Sequence, residues 1–370
     1  MTRVAYLDWN ATAPICPEAA AATTDALALL GNASSVHRRG REARRALEAA
    51  RSEVAALVGA RPSEIIFTSG GTEANQLALN GVAGRRVLVS AIEHDSVRLA
   101  ASGAEVVPAT AEGVVDLAAL DRLLAADARP ALVSLMLANN ETGVIQPVAA
   151  AARIAHGANA LLHCDAVQGA GRLVLDHRAL GADLITLSAH KLGGPQGVGA
   201  LFVAEHVPLA ARQTGGGQER GRRGGTENLP GIIGFGAACA AVGRRPSDGE
   251  RVRRLRDRAE ALLTAIAPDA PVYGRDAPRL DNTLAIGMRG VAASTQVMSL
   301  DLAGVMVSAG AACSSGKVRR SHVLEAMGVA PAAAESAIRI SLGWTSSDAD
   351  IEQLADAWGA LYARTRASAA

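Results

Sequence analysis

Leu184-Ile185-Thr186-Leu187-Ser188 and the following Ala189-His190-Lys191-Leu192-Gly193-Gly194-Pro195 form an apolar run that ends in a polar cluster and a glycine turn. This pattern predicts a buried strand whose carboxyl end carries an imidazole and an amine. Further apolar runs occur at residues 87–90, 131–138, 160–164 and 198–203, and helical stretches at 37–58, 72–80, 117–125 and 148–156. The alternation predicts a three-layer α/β fold with a mostly parallel central sheet.

The rhythm of strands and turns changes around residues 234–248, where a helical stretch over 250–266 begins. We therefore expect a large domain over residues 15–245. A smaller α+β domain is predicted from residues 1–14 and 246–370, with strands at 282–288 and 337–341 and a closing helix over 348–364.

Composition excludes several classes of function. The chain has 370 residues, 49% of them hydrophobic, and a formal net charge of +1 without a basic block, which argues against nucleic-acid binding. No apolar run reaches the roughly 18 residues that a membrane span requires, and the N-terminus lacks the features of a signal peptide. Four cysteines without a C-x-x-C pair indicate neither a disulfide framework nor a zinc site, so no metal is expected. We expect a cytoplasmic protein that acts on small molecules.

Lysine is rare in this chain. Only Lys191 and Lys317 occur among the 37 basic residues. Arginine stays protonated in proteins, whereas a lysine amine whose pKa falls becomes a nucleophile or a base. A lysine at the carboxyl end of a strand also lies where α/β folds bind ligands, which favours Lys191 over the alternative of a solvated turn lysine.

A phosphate site is predicted where the segment 67–75 passes from a strand through two glycines into a helix. Gly71 allows close approach of the main chain to an anion, the helix start supplies free N–H groups, and Thr72 adds a hydroxyl. Ser188 and His190 can hold the same phosphate. An ordinary turn with Thr72 as the N-cap is the alternative.

Asp165 follows an apolar strand and requires a cationic partner at that position. A protonated ring nitrogen of a cofactor is one such partner, and Gln168 can reach a ring oxygen. A structural aspartate that caps a helix is the alternative.

Cys313 lies in a segment of small residues, 309–317, from which a thiol can reach a substrate. Its reactive form is the thiolate, so an ordinary pKa of about 8.5 must fall or the thiol must meet a base. A small core residue is the alternative, and it is the interpretation we favour for Cys16, Cys164 and Cys239.

The order of these motifs resembles one family almost end to end. The segments that carry the resemblance are 6–12, 32–37, 68–75, 93–97, 139–143, the Asp165 and Lys191 segments, 215–219, 225–228, the Cys313 segment and 339–343. Together they resemble the cysteine desulfurases of the NifS/IscS type, which belong to the class V aminotransferases, fold-type I enzymes that use pyridoxal 5'-phosphate (PLP).

The resemblance implies a PLP-transferase fold for the large domain and a role for each matching residue. Lys191 would form the Schiff base with PLP, and His94 would stack on the ring and shuttle protons. Without the resemblance, a histidine at a helix start would be the simpler interpretation of His94. Asp165 would bind the ring nitrogen, and Gln168 would bind the ring oxygen. Asn140 and Arg339 would bind the substrate carboxylate. The phosphate would be bound by Gly71, Thr72, Ser188, His190 and the partner subunit's Thr226.

The implied activity is removal of sulfur from L-cysteine to give L-alanine and a persulfide on Cys313. The implied partners are a second copy of the chain in a homodimer and a sulfur acceptor or iron–sulfur scaffold protein. A selenocysteine lyase and a non-catalytic protein that regulates sulfur transfer remain alternatives. Trp9, Ala33 and Gly225 depart from residues common in the family, and Trp9 leaves the preferred substrate open.

Overall fold

The computed structural model describes residues 4–243, 248–310 and 320–367. The strands are β1 (Ala5–Tyr6), β2 (Ile65–Thr68), β3 (Arg86–Ser90), β4 (Glu105–Val107), β5 (Ala131–Ser134), β6 (Leu161–Asp165), β7 (Leu184–Ser188), β8 (Gly199–Val203), β9 (Val272–Tyr273), β10 (Thr283–Gly287), β11 (Val305–Met306), β12 (Ser308–Ala309) and β13 (Ala337–Ser341). The α-helices are α1 (Pro17–Leu27), α2 (Arg38–Leu57), α3 (Gly71–Gly81), α4 (Asp95–Arg98), α5 (Leu117–Ala126), α6 (Val148–Gly157), α7 (His177–Leu180), α8 (Leu229–Gly243), α9 (Asp248–Ile266), α10 (Ala293–Leu302), α11 (His322–Ala326), α12 (Pro331–Ala334) and α13 (Asp348–Ala367).

The central sheet has the strand order β2-β8-β7-β6-β5-β3-β4. The strands from β7 to β4 run parallel, and β8 is antiparallel to both of its neighbours. Strands β5, β6, β7 and β8 are buried along their whole length, because helices cover both faces of the sheet. The α/β fold with a mostly parallel central sheet is confirmed.

One predicted strand is shorter in the structure than in the sequence prediction. The run 131–138 is regular only as far as Ser134, and two residues later the main-chain N–H of Met136 donates to Glu93 Oε1 at 2.6 Å. The Glu93 side chain therefore accepts this hydrogen bond in place of a neighbouring strand, while Leu135 and Leu137 still donate to the main chain of β6 on the other side. An apolar sequence pattern contains no information about such a replacement.

A second sheet, with the antiparallel order β12-β13-β10-β9, lies in the C-terminal part of the chain. Its hydrophobic core also includes Ala5 and Leu7, because β1 pairs in parallel with β11. Helices α9, α10 and α13 contribute Leu255, Leu300 and Trp358 to this core. Residues 5–7 thus pack with the C-terminal part of the chain, while the domain boundaries themselves stay a prediction.

Within the described residues, no helix is long and apolar enough to cross a membrane. The same residues contain no cluster of three or more histidine, cysteine or acidic side chains arranged to hold a metal ion.

Candidate active site

Lys191 lies just beyond the carboxyl end of β7, in the 3₁₀ turn Ala189–Lys191. The adjacent parallel strand β6 ends at Asp165, so the amine and the carboxylate belong to the same edge of the sheet. Lys191 Nζ donates to the main-chain oxygens of Asn10 at 2.6 Å and Ala11 at 2.8 Å. The N-terminal segment therefore crosses this edge and holds the amine.

The surroundings of Lys191 disfavour its charged form. Burial is the main cause, and the positive charges of Arg339 and Arg172 add to it, so the pKa of Lys191 falls from 10.5 to about 7. A large fraction of the amine is then neutral near physiological pH. A neutral amine is the form that attacks a carbonyl or accepts a proton.

Asp165 is almost fully buried and held by two donors. Its Oδ2 accepts from Asn75 Nδ2 at 2.7 Å, and its Oδ1 accepts from the main-chain N–H of Val167 at 3.0 Å. Burial, reinforced by the negative charge of Asp165, raises the pKa of the neighbouring Glu93 well above its usual range. A shift in this direction disfavours a second negative charge beside Asp165.

The glycine turn after β2 meets the end of β7. A Cβ added to Gly71 would lie 3.1 Å from Val167 Cγ2 and 3.4 Å from Ser188 Cβ, so only a glycine permits this close approach without a shift of its neighbours. Gly71 begins the eleven-residue helix α3, whose first N–H groups are available to an anion. The structure brings the predicted phosphate residues Gly71 and Ser188 together, and Thr72 follows on an exposed position of the same helix start.

His190 lies beside Lys191 and is oriented by the N-terminal segment. Its Nδ1 is 3.1 Å from Thr12 Oγ1. Burial and then the charge of Lys191 lower the pKa of His190 to about 4, so the ring is neutral at physiological pH. A neutral imidazole contacts a phosphate by donating one hydrogen bond rather than by charge.

Gln168 is fixed at both ends of its amide. Its Nε2 donates to the main-chain oxygen of Asn10 at 3.0 Å, and its Oε1 accepts from Arg172, four residues later in the turn that follows β6. Burial and the charge of Arg339 lower the pKa of Arg172 to about 10. The sequence prediction missed Arg172, although its spacing of four residues from Gln168 was a usable signal.

Arg339 and Asn140, the predicted substrate residues, are in contact. Arg339 Nη1 donates to the main-chain oxygen of Asn140 at 3.1 Å, while Nη2 donates to Asp8 Oδ1 at 2.7 Å. Its buried Nε has no partner among the described residues. Asp8 is a second residue that the sequence prediction left without a role, and it binds the guanidinium that is predicted to hold the substrate carboxylate.

His94 is the N-cap of α4, as the simpler interpretation of the sequence predicts. Its Nδ1 accepts from the main-chain N–H of Ser96 at 3.1 Å and lies 2.8 Å from Ser96 Oγ. The side chain is exposed and stands in the segment that follows Glu93. Capping and cofactor stacking are compatible, because capping uses only one edge of the ring.

This chain is similar to known proteins over nearly its whole length. The family model of aminotransferase class-V matches residues 5–354. The chain belongs to the class-V aminotransferase family. It is 44% identical to a cysteine desulfurase of Cereibacter sphaeroides, over 96% of this chain and 94% of the relative. The X-ray structure of a NifS-like protein from Rickettsia africae superposes with a TM-score of 0.91 at 35% identity, covering 98% of this chain and 100% of the other. The structure of SspA in complex with cysteine superposes with a TM-score of 0.78 at 28% identity, covering 91% and 98%.

Class-V aminotransferases use PLP, and the residues of this chain fit that cofactor. The glycine approach at Gly71 and the start of α3 suit a phosphate. Asp165 supplies a buried carboxylate for a ring nitrogen, and Lys191 supplies an amine of lowered pKa for the aldehyde. The individual contacts to the cofactor stay predictions.

Cys313 lies outside the described residues, but a residue on each side of its segment lies beside Glu141. Ser321 Oγ donates to Glu141 Oε2 at 2.5 Å, and a Cβ added to Gly310 would lie 3.0 Å from the same oxygen. Burial raises the pKa of Glu141 to about 7. Because Glu141 follows Asn140 directly, the segment that carries the thiol begins and ends beside the predicted substrate site. Cys16, Cys164 and Cys239 are buried.

A buried ion pair anchors the segment that carries Thr226. Arg51 binds Glu219 through two hydrogen bonds of 2.6 and 2.8 Å, and Glu219 also accepts from the main-chain N–H of Phe67. Arg223 Nε donates to Glu73 Oε1 at 2.8 Å, near the start of α3. Thr226 itself is exposed, and its contact with a partner subunit stays a prediction.

Trp9 is buried beside the cavity that Lys191 lines. Its ring meets that of Trp344 edge-on, with centroids 4.5 Å apart. A Cβ added to Gly343 would lie 2.1 Å from the Trp9 ring. Both tryptophans and Lys191 line a cavity of about 770 Å³ between the central sheet and the C-terminal part of the chain. Trp9 therefore shapes a wall of this cavity.

Proposed function

We propose that this protein is a cysteine desulfurase. With PLP bound, it would remove sulfur from L-cysteine, release L-alanine and retain the sulfur as a persulfide on Cys313. The carbon–sulfur bond of cysteine breaks, a sulfur–sulfur bond forms with the thiol, and the carbon that loses sulfur takes a proton. The reaction needs no external oxidant, because the substrate carbon is reduced as the two sulfurs join.

The buried amine of Lys191 is the observation that carries the proposal. An amine whose pKa is about 7 and which faces the same sheet edge as Asp165 suits covalent attachment to the PLP aldehyde. When bound, PLP withdraws electrons from the substrate's Cα–H bond. Lys191 would be the base that takes this proton.

The other residues supply charge and orientation. Asp165 would keep a ring nitrogen protonated, and Gln168, fixed through Arg172, would contact a ring oxygen. Arg339 and Asn140 would bind the carboxylate of cysteine through directed hydrogen bonds. His94 would stack on the ring, and the phosphate would be held by Gly71, Thr72, Ser188, His190 and the partner subunit's Thr226.

Beyond the chemistry, we propose a homodimer in the cytoplasm that passes the persulfide sulfur to an acceptor, either an iron–sulfur scaffold or a protein of thio-cofactor synthesis. The resemblance of the Thr226 segment to segments that cross between subunits supports the homodimer. Analytical ultracentrifugation of the PLP-loaded protein tests this part, and a monomer at micromolar concentration would contradict it.

Cofactor binding is tested by absorbance and mass spectrometry after borohydride reduction of the PLP-loaded protein. We expect the wild type to be yellow and to carry the reduced cofactor covalently on Lys191. Lys191→Ala should lose the covalent label, whereas Lys317→Gln, which changes the other lysine of the chain, should keep it. A wild type that stays colourless after reconstitution would refute the proposal.

The activity is tested with L-cysteine by measuring alanine and protein-bound persulfide together. Cys313→Ser should bind cysteine with a change in the PLP spectrum but form no persulfide. Cys239→Ser is the matched control, because that thiol is buried in the hydrophobic core and burial raises its pKa. Wild-type sulfide release by Cys313→Ser would contradict the assignment of the thiol. If both Cys313→Ser and the wild type turn over selenocysteine faster than cysteine, the result would favour a selenocysteine lyase.

A further inference from the structure

A line of hydrogen-bonded side chains joins Asp165 to His94. Asn75 Nδ2 donates to Asp165 Oδ2 at 2.7 Å and to Ser96 Oγ at 2.8 Å. Ser96 Oγ in turn lies 2.8 Å from His94 Nδ1. The two outer residues are the predicted partners of the cofactor ring, and the two inner residues have no assigned role.

Asn75 can take only one orientation in this line. It is 1% exposed, and both hydrogens of its Nδ2 are used, one by Asp165 and one by Ser96. Its Oδ1 has no partner among the described residues. Rotation of the amide by half a turn would place that oxygen against the carboxylate of Asp165, where no hydrogen lies between them. The carboxylate therefore fixes the amide, even though one buried acceptor is left without a donor.

The orientation of Asn75 determines the direction of the next bond. Because Ser96 Oγ accepts from Asn75, its own hydrogen is available to His94 Nδ1. The main-chain N–H of Ser96, which can only donate, points to the same nitrogen at 3.1 Å. His94 Nδ1 is thus an acceptor for two donors. In a neutral imidazole the proton then resides on Nε2.

We propose that Asn75 and Ser96 are positioning residues that hold His94 in the Nε2–H tautomer with a fixed ring orientation, in a line whose direction Asp165 sets. The kinetic consequence rests on the proposed desulfurase function, whereas the tautomer can be observed without turnover. Proton exchange at His94 then occurs through Nε2, because a proton on Nδ1 would face the main-chain N–H of Ser96. The residue that holds the ring nitrogen and the residue that stacks on the ring are in this way coupled within the protein.

The tautomer is tested by ¹⁵N NMR of the PLP-loaded protein labelled at histidine, with His94→Gln to assign the signals. We expect an unprotonated Nδ1 and a protonated Nε2 in the wild type. Ser96→Ala removes one of the two donors to Nδ1 and leaves the main-chain N–H of residue 96, so the Nδ1 chemical shift should change while the Nε2–H tautomer stays favoured. Ser96→Thr should restore the wild-type signals, and Asp165→Asn should disturb them from a distance. Ser52→Ala removes an exposed hydroxyl that bonds only within α2, and it should change nothing. A protonated Nδ1 in the wild type, or unchanged signals in Ser96→Ala, would overturn the proposal.

Turnover gives an independent measure. We expect Ser96→Ala to lower kcat by about fivefold, as the loss of one hydrogen bond implies, with KM for cysteine close to the wild-type value, and Ser96→Thr to recover kcat. A rise in KM at constant kcat would contradict a positioning role. If the wild type shows no desulfurase turnover while the NMR signals respond as expected, the proposed function fails and the positioning inference stands. If turnover is normal while the NMR signals do not respond, the positioning inference fails and the proposed function stands.

Discussion

The pH dependence of cofactor attachment follows from the environment of Lys191. At about pH 8, an amine with the ordinary pKa of 10.5 is neutral in about 0.3% of molecules, whereas one with a pKa of about 7 is neutral in about 90%. Only the neutral amine attacks the PLP aldehyde. The structure therefore predicts a neutral fraction of the amine roughly three-hundredfold larger at this pH than an exposed lysine would have.

The assay is stopped-flow absorbance after PLP is mixed with cofactor-free protein over a range of pH. The rate should rise about tenfold per pH unit below the pKa of Lys191 and level off above about pH 7. Pyridoxal, which lacks the phosphate, should show the same midpoint and so exclude titration of the phosphate as the cause. Arg172→Met removes one of the positive charges that lower this pKa, and the plateau should then move to higher pH.

A rate that continues to rise towards pH 10 without a plateau would refute this reasoning. The amine would then have an ordinary pKa, and neither its burial nor the neighbouring arginines would control its protonation. An unchanged midpoint in Arg172→Met would refute only the contribution of that charge, because burial is the larger cause.

Three further predictions concern the supports of the site. Burial raises the pKa of Glu141 from 4.5 to about 7, so its contribution to the free energy of unfolding is present at low pH and is lost as the pH rises to about 7. In urea unfolding, the wild type should therefore lose on the order of 3 kcal/mol relative to Glu141→Gln between about pH 4 and about pH 8. Glu219→Ala leaves the buried guanidinium of Arg51 with only the partly exposed Glu48 as a carboxylate partner and should destabilise the protein by about 3 kcal/mol, whereas replacing Arg51 and Glu219 together by methionine should recover most of the loss. Gly71→Ala places a methyl group 3.1 Å from Val167 and should raise the Kd for PLP in equilibrium dialysis; an unchanged Kd would show that the glycine turn does not hold the phosphate.

Local sequence patterns were sufficient to predict the fold and the edge of the sheet that carries the site. Lys191 and Asp165 each follow an apolar run, and parallel strands bring such positions to one edge whatever the loops between them. The glycine turn at Gly71 was also visible as a strand, two glycines and a helix start, although an ordinary turn with Thr72 as the N-cap was the alternative. These features depend on neighbours in the chain.

The residues that the sequence prediction missed act through partners far away in the chain. Asp8 binds Arg339 across 331 residues, and Glu141 binds Ser321 across 180 residues. No periodicity connects positions so distant, and each of these side chains on its own has the pattern of an ordinary turn or loop residue. Asn75 and Ser96 belong to the same group, since their importance lies in the direction of hydrogen bonds that only coordinates reveal.

The contact between Trp9 and Gly343 restricts how this chain can evolve. A side chain at position 343 would overlap the indole ring, so any mutation of Gly343 is blocked while Trp9 is present. A smaller residue at position 9 removes the block but opens a void beside Trp344, which destabilises the protein until position 343 is filled. An indole at position 9 therefore ties position 343 to glycine, whereas a smaller side chain at position 9 allows position 343 to stay glycine or to change.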